Sequence, residues 1–181
     1  GGEPCQLDII ACRNYKHSTR YKLPIAPSPN LPNMQAIYLY PSICLFEGTD
    51  VSLGRGTGLP FQQYGHPQMT GYKYSFIPRS VPGAKNPPQL NQLCFGVNLS
   101  HKPQGEIIKR GFDLTYVIDA YRNLKVGERF FTPFFTKLVG VDYVQKMIIE
   151  GRSNEEIRAV WQPELEKYKE MRRKYLIYKE K

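Results

Sequence analysis

A few short extended segments followed by a series of amphipathic helices predict an α+β domain. Three observations carry the prediction. Polar and apolar residues alternate through Tyr72, Tyr74 and Phe76, and again from Cys94 to Ser100, which is a strand signal. Apolar residues recur at helical spacing in Leu114, Val117, Ile118 and Tyr121, and again in Val144, Met147 and Ile148. The chain has 181 residues and is 41% hydrophobic, so it can bury a core as one domain, or as one domain with part of another.

Taken in order, Leu7-Asp8-Ile9-Ile10-Ala11-Cys12 places residues 5–12 in a buried strand. It stands alone, so its sheet partners are expected upstream of this chain. Residues 13–33 are polar and carry Pro24, Pro27, Pro29 and Pro32; proline fixes φ, so Ser28-Pro29-Asn30-Leu31-Pro32 is a stiff loop, and a domain boundary is placed near residue 32. Residues 33–46 read as a helix with Asn33 as its cap, interrupted or restarted at Pro41 and closed at Gly48. Residues 58–93 are rich in proline and glycine, with a long loop from Arg79 to Leu93. The next strand, from Cys94, has Phe95, Val97 and Leu99 on one side. The helices that follow are punctuated by Gly151 and by Ser153-Asn154-Glu155-Glu156, a capping box. The last helix carries Ile157, Val160, Trp161, Leu165 and Tyr168 as an apolar stripe that reads as core packing, with a bend at Pro163.

Composition narrows the function. Net charge is +9, from 25 Lys+Arg against 16 Asp+Glu, but the basic residues are scattered apart from Arg172-Arg173-Lys174. That trio lies late in a helix, where cations favour the dipole, so no nucleic-acid partner is expected. Cys5, Cys12, Cys44 and Cys94 form no CxxC pair, and His17, His66 and His101 sit in no ligand pattern; no metal and no cofactor are expected. Cys12, Cys44 and Cys94 lie in apolar runs and read as small hydrophobes, while spacing assigns no disulfide. No apolar stretch is long enough to span a membrane. The chain opens on Gly1 without a charged n-region or apolar h-region, and reads as processed or cut from a longer one. No G-x-S-x-G elbow is present, and Gly54-Arg55-Gly56-Thr57-Gly58 lacks the lysine of a phosphate loop.

The run from Cys44 to Thr57 carries the chemistry. Glycines break it, so backbone can approach a ligand closely. Glu47, ending an apolar helix, is partly dehydrated; dehydration raises the pKa of a carboxyl, which suits a general acid, although a glutamate bonding nearby amides fits the same position. Arg55 lies between two glycines and could clamp a carboxylate in a two-pronged geometry, the preferred reading, or pair with Asp50 or Glu47. Thr49, Ser52 and Thr57 could bond sugar hydroxyls or satisfy the loop backbone. His66, in Tyr64-Gly65-His66-Pro67, either lines a cleft or is a plain loop histidine.

Several of these segments occur together in one known family. Ser28-Pro29-Asn30-Leu31-Pro32, Tyr40-Pro41, Leu45-Phe46-Glu47-Gly48-Thr49, Gly54-Arg55-Gly56-Thr57 and Pro60-Phe61, with the ending Arg173-Lys174-Tyr175-Leu176-Ile177-Tyr178, resemble the bacterial exo-β-N-acetylmuramidases, formerly catalogued as domain of unknown function 1343. The resemblance spans essentially the whole chain. It implies an enzyme that removes terminal N-acetylmuramic acid from peptidoglycan fragments, with an N-terminal Rossmann-like domain, a smaller C-terminal α/β domain and an active site in the cleft between them. On that basis residues 1–32 would be the terminal strand and linker of an absent N-terminal domain, and residues 33–181 the C-terminal domain. Glu47 would be the candidate acid or would orient the sugar, Arg55 would face an anion such as the lactyl carboxylate, and Asn30, Thr49, Ser52 and Thr57 would line the cleft, with His66 added as a substrate-binding candidate from its own segment. Glycosidases usually place two carboxylates beside the bond, so the second would sit on the absent domain, and this chain alone is expected to be inactive. Asp50 stands where the family often has Asn, and Leu53 where it often has Glu, so no role rests on position 53. The resemblance implies a saccharide partner, the missing domain as a second partner, and a periplasmic or cell-surface location. A carbohydrate-binding module without catalysis is the alternative.

Overall fold

The computed structural model describes residues 5–178. They form two compact units, one spanning Leu23–Val160 and a smaller one that joins the start of the chain up to Lys22 with its end from Trp161.

In the larger unit the first helix, α1 (Met34–Ile43), begins where the sequence places it: the Asn33 side chain accepts a hydrogen bond from the Ala36 amide at 2.9 Å. Pro41 is accommodated within the helix, and the chain then tightens into a 3-10 turn over Cys44–Gly48. α1 buries Ala36, Leu39 and Ile43, and the turn buries Leu45 and Phe46. Three short strands follow, β1 (Gln63–His66), β2 (Tyr74–Phe76) and β3 (Cys94–Asn98), in an antiparallel sheet of order β1-β3-β2. β1 pairs with β3 in the register Gln63 with Asn98 and Gly65 with Gly96. Glycine is required at that crossing: a Cβ on Gly96 would stand 1.9 Å from the Tyr64 carbonyl oxygen. On β3 it is Cys94 and Gly96 that are fully buried, with Phe95 and Val97 half-buried, so the inward face is the one opposite to Phe95 and Val97.

The helical portion comprises α2 (Gln104–Arg110), α3 (Thr115–Leu124), α4 (Phe134–Val139), α5 (Tyr143–Ile149) and α6 (Asn154–Arg172). α3 buries Val117 and Ile118, and Leu114 just before it is fully buried. α4 packs on the 3-10 turn that ends at Gly48. Phe130, Phe131 and Phe135 form an aromatic cluster with Tyr121, with ring centroids 4.6–5.6 Å apart. The capping box before α6 is reciprocal: the Ser153 amide donates to Glu156 Oε2 at 2.7 Å and the Glu156 amide to Ser153 Oγ at 3.2 Å. Asn154 accepts from the Leu114 amide at 3.0 Å and Ile157 is fully buried.

Two expectations fail. Residues 5–12 form no strand; Leu7, Ile9 and Ile10 are 73%, 57% and 96% exposed, and Cys12 is exposed instead of packing as a small hydrophobe. A strand exists only through its ladder partners, and an apolar run without them stays irregular. The stripe on α6 also does not become core throughout: Ile157 is buried, but Val160, Leu165 and Tyr168 are exposed. Within the smaller unit the Cys12 amide donates to the Tyr178 hydroxyl at 2.8 Å, and the Tyr15 ring meets Tyr178 edge-on at 4.8 Å. Cys5, Cys12, Cys44 and Cys94 are all free thiols.

Candidate functional site

The 3-10 turn delivers Glu47 to the start of the glycine-broken loop. Gly54 and Gly56 take left-handed φ of +84° and +78°, and a Cβ there would meet the Leu59 and Arg79 carbonyl oxygens at 2.5 and 2.3 Å. These glycines allow other parts of the protein's own backbone to come close. The turn they permit brings the Arg55 guanidinium to Glu47 Oε1 at 2.6 Å, with the two side chains 34% and 26% exposed, and lays it over the Phe61 ring at 5.2 Å. Of the two arrangements open to Arg55 in the sequence, the ion pair with Glu47 is the one adopted. Glu47 accordingly accepts a hydrogen bond from Arg55 here.

The small polar residues of the loop are committed to backbone. Thr49 Oγ1 donates to the Phe46 carbonyl at 2.9 Å and accepts from the Val51 amide at 3.1 Å. Ser52 is fully buried, with its Oγ accepting from the Gly54 amide at 3.4 Å. Thr57 Oγ1 donates to the Gly54 carbonyl at 2.7 Å and accepts from the Leu59 amide and from Gln63 Nε2. Asn30 Nδ2 donates to the Gly83 carbonyl at 2.9 Å, tying the proline-rich turn to the loop after β2. Such bonds fit the tendency of Ser, Thr and Asn to serve turns. None of these four residues lines either of the hollows described below.

His66 and its neighbours are different. At the end of β1 its Nδ1 accepts from the Gln68 amide at 3.2 Å, which leaves Nε2 as the protonated nitrogen facing Asp50 Oδ2 at 3.3 Å. Asp50 is held from behind, its carbonyl accepting from Gln89 Nε2 at 2.9 Å, while its side chain is 74% exposed. The segment 131–132 is drawn against this loop by an antiparallel bridge between Thr49 and Phe131 and by the Thr132 amide donating to the Gly48 carbonyl at 2.9 Å. The result is a hollow of about 220 Å³, with Asp50, His66, Gln68 and Arg129 as its polar groups and Leu124, Val126 and Phe130 as its apolar ones. Among the described residues the Arg129 side chain makes no hydrogen bond or ion pair, and the residue is exposed.

Two other constellations bear charge. Asp119 on α3 accepts from the Tyr64 and Tyr72 hydroxyls at 2.7 and 2.6 Å and from Asn123 Nδ2 at 3.2 Å. Burial first, and the bond to Asp119 second, push both phenols well above their ordinary range, so they remain donors. A second hollow of about 430 Å³ is lined by Arg110, Asp113, Asn154, Glu155 and Arg158. Its charges are used within the fold: Arg110 Nε meets Asp113 at 2.6 Å and Arg158 donates to the Phe112 carbonyl at 2.5 Å. Among the described residues no group of three or more His, Cys, Asp or Glu could hold a metal ion, and no helix is long and apolar enough to cross a membrane.

Arg129, Gln68 and Asp119 carried no signal in the sequence. Arg129 lines the same hollow as His66, although it is distant in sequence, and Asp119 lies 55 positions from Tyr64. Asp50 stood inside the motif but was not among the expected cleft residues.

A small antiparallel sheet and several helices, with one polar loop and two hollows lined partly by charged side chains, define an α+β domain. Over residues 38–178 the chain matches the family described as exo-beta-N-acetylmuramidase NamZ, C-terminal, and it belongs to that family. It is 30% identical over 190 aligned positions to the peptidoglycan beta-N-acetylmuramidase NamZ of Bacillus subtilis (strain 168), covering 95% of this chain and 45% of that protein. It superposes with a TM-score of 0.96 and 64% identity on the 1.30 Å crystal structure of a DUF1343 family protein from Bacteroides fragilis NCTC 9343, covering 98% of this chain and 50% of that one. The chain thus spans about half the length of the relatives it matches.

Proposed function

We propose that this chain works as the C-terminal half of an exo-β-N-acetylmuramidase and supplies the binding wall of its saccharide site. The family match supports the reading, and the single observation that carries it is the hollow beside the motif-bearing loop, where Asp50, His66 and Arg129 converge beside an apolar surface. A pyranose offers the same mixture: hydroxyls for a carboxylate to accept from, and C–H faces for apolar side chains. His66 fixes the Asp50 carboxylate, so hydroxyl recognition costs little reorganisation. Glu47 is tied to Arg55, so its part is to hold the loop that presents Asp50, and the carboxyls that act on the glycosidic bond belong to the other half of the protein. The substrate polymer lies in the cell envelope, so the work belongs at the periplasm or cell surface.

The test is turnover of a chromogenic β-N-acetylmuramide by the two-domain protein. Asp50→Ala is expected to lower kcat/KM at least about tenfold, mostly through KM, because the lost contact is one of binding. A well-folded two-domain protein that binds muropeptides and cleaves none would replace the enzyme by a carbohydrate-binding module. Unchanged kcat/KM in Asp50→Ala would remove the hollow from the site.

A further inference from the structure

We propose that Arg129 reads the carboxylate of a lactyl-bearing amino sugar and so sets the preference of the hollow for N-acetylmuramic acid over N-acetylglucosamine. The inference rests on the saccharide-site reading above and adds the residue that discriminates the two sugars. They differ by one ether substituent, which contributes a methyl group and a carboxylate. A site that separates them therefore needs a free cation beside a small apolar surface.

Arg55, the guanidinium on the motif loop, is engaged: it holds Glu47 at 2.6 Å and lies over Phe61. Arg129 is unengaged among the described residues and lines the hollow. It stands on the 3-10 turn Gly127–Phe130, where the next side chain, Phe130, is 2% exposed and anchors the turn in the aromatic cluster. The guanidinium thus projects from a fixed base, and its fork suits a carboxylate. Leu124 and Val126 offer the apolar surface for the methyl group.

The fixed charges sort the ligand. Asp50 repels an anion and accepts from hydroxyls, whereas Arg129 attracts an anion and cannot accept. One carboxylate-bearing sugar can satisfy both in only one orientation. The hollow measures about 220 Å³, below the roughly 300–1,000 Å³ of pockets that enclose whole ligands. It takes a substituent and a ring edge, which is the part in which the two sugars differ. A carboxylate on a methyl-bearing carbon also ends the D-alanine of a stem peptide, so that source is tested beside the sugar.

The experiment is a heteronuclear NMR titration of the chain with N-acetylmuramic acid, N-acetylglucosamine and D-alanyl-D-alanine, repeated on Arg129→Ala, Arg129→Lys and Arg55→Ala variants whose spectra keep native dispersion. N-acetylmuramic acid is expected to move the amide signals of Asp50, His66 and residues 127–130, and to bind about 10- to 100-fold more tightly than N-acetylglucosamine, the range of one charge-assisted contact. Arg129→Ala should reduce it to the level of N-acetylglucosamine, and Arg129→Lys should restore part of the difference, since lysine keeps the charge without the fork. Equal affinity for the two sugars, or a preference that survives Arg129→Ala, overturns the inference and leaves the saccharide reading standing. A preference abolished by Arg55→Ala alone moves the role to Arg55 and overturns it equally. Binding of the dipeptide with neither sugar overturns both readings. No response to any ligand overturns the inference, and the turnover assay then decides the wider reading by itself.

Discussion

Replacing Glu47 and Arg55 singly and together separates a structural pair from two ligand-facing groups. The contact is 2.6 Å, and the side chains are 26% and 34% exposed. Two unit charges about 4 Å apart attract by about 4 kcal/mol at the effective dielectric of a protein surface. Partial desolvation and the freezing of two long side chains offset most of this, and fully exposed pairs retain only about 0.2–1 kcal/mol. A pair two-thirds buried belongs at the upper edge, so the coupling should be about 1 kcal/mol. Arg55→Ala additionally removes the contact with Phe61, a further loss of about 0.5–1 kcal/mol that Glu47→Gln does not incur. Urea denaturation followed by circular dichroism measures the four midpoints. The double variant should be more stable than the sum of the singles predicts by about 1 kcal/mol. Additivity within about 0.3 kcal/mol would refute the assignment of the pair to the fold and return both side chains to the ligand.

Further consequences follow from the packing and the titratable groups. Gly96→Ala should destabilise by more than about 3 kcal/mol, because the new methyl would stand 1.9 Å from the Tyr64 carbonyl oxygen and force β1 from β3; a melting temperature near that of the parent would refute the register. Asp119→Ala strands the hydroxyls of Tyr64 and Tyr72 and should cost about 1–3 kcal/mol in the same denaturation assay, whereas an exposed, unbonded Asp119 would predict no loss. Burial pushes the Cys44 and Cys94 thiols up to about 11 and about 12, and it raises the Tyr64 and Tyr72 phenols as well. The unfolded chain ionises its thiols from about pH 8.5 and its tyrosines from about pH 10, while the folded chain keeps those protons. Stability is therefore full below about pH 8.5 and falls as pH rises through 9 to 12; a midpoint unchanged between pH 8 and pH 11 would contradict this. In the native protein Cys5 and Cys12, both exposed, should react quickly with an aromatic disulfide at pH 8, and buried Cys94 only after unfolding.

The features legible in the sequence are those decided within one turn of chain. Asn33 caps α1 because its side chain needs only the amide three residues on, and Ser153 and Glu156 bond each other across the same interval. β2 and β3 are also legible, from alternation around Tyr74 and Phe76 and from Cys94 onward, but features with no such local pattern are not. β1 reads Gln-Tyr-Gly-His, which has no apolar alternation; it is a strand because β3 pairs with it and because Ser52 bridges to Gly65. Residues 7–12 have the composition of a strand and lack its partners. The same division runs through the site. Arg55 stands eight positions from Glu47, close enough for the ion pair to be foreseen as one of two outcomes, but only the left-handed turns at Gly54 and Gly56 decide between them. Arg129 is 79 positions from Asp50, and the two meet only as lining of one hollow.

That division bears on how the glycine-rich motif is understood. Its hydroxyls bond loop backbone and its acid pairs with its guanidinium, so on the proposed reading the motif shapes the loop. The residue it leaves to solvent is Asp50, and the place to which it brings Asp50 is the edge of the turn that carries Arg129. Substitutions inside the motif should therefore act on ligand binding only as far as they displace Asp50. Thr57→Ala tests this: it removes three hydrogen bonds from the loop. It should lower stability by about 1–3 kcal/mol and weaken N-acetylmuramic acid binding only in step with movement of the Asp50 amide signal. Binding lost with that signal unmoved would place Thr57 on the ligand after all.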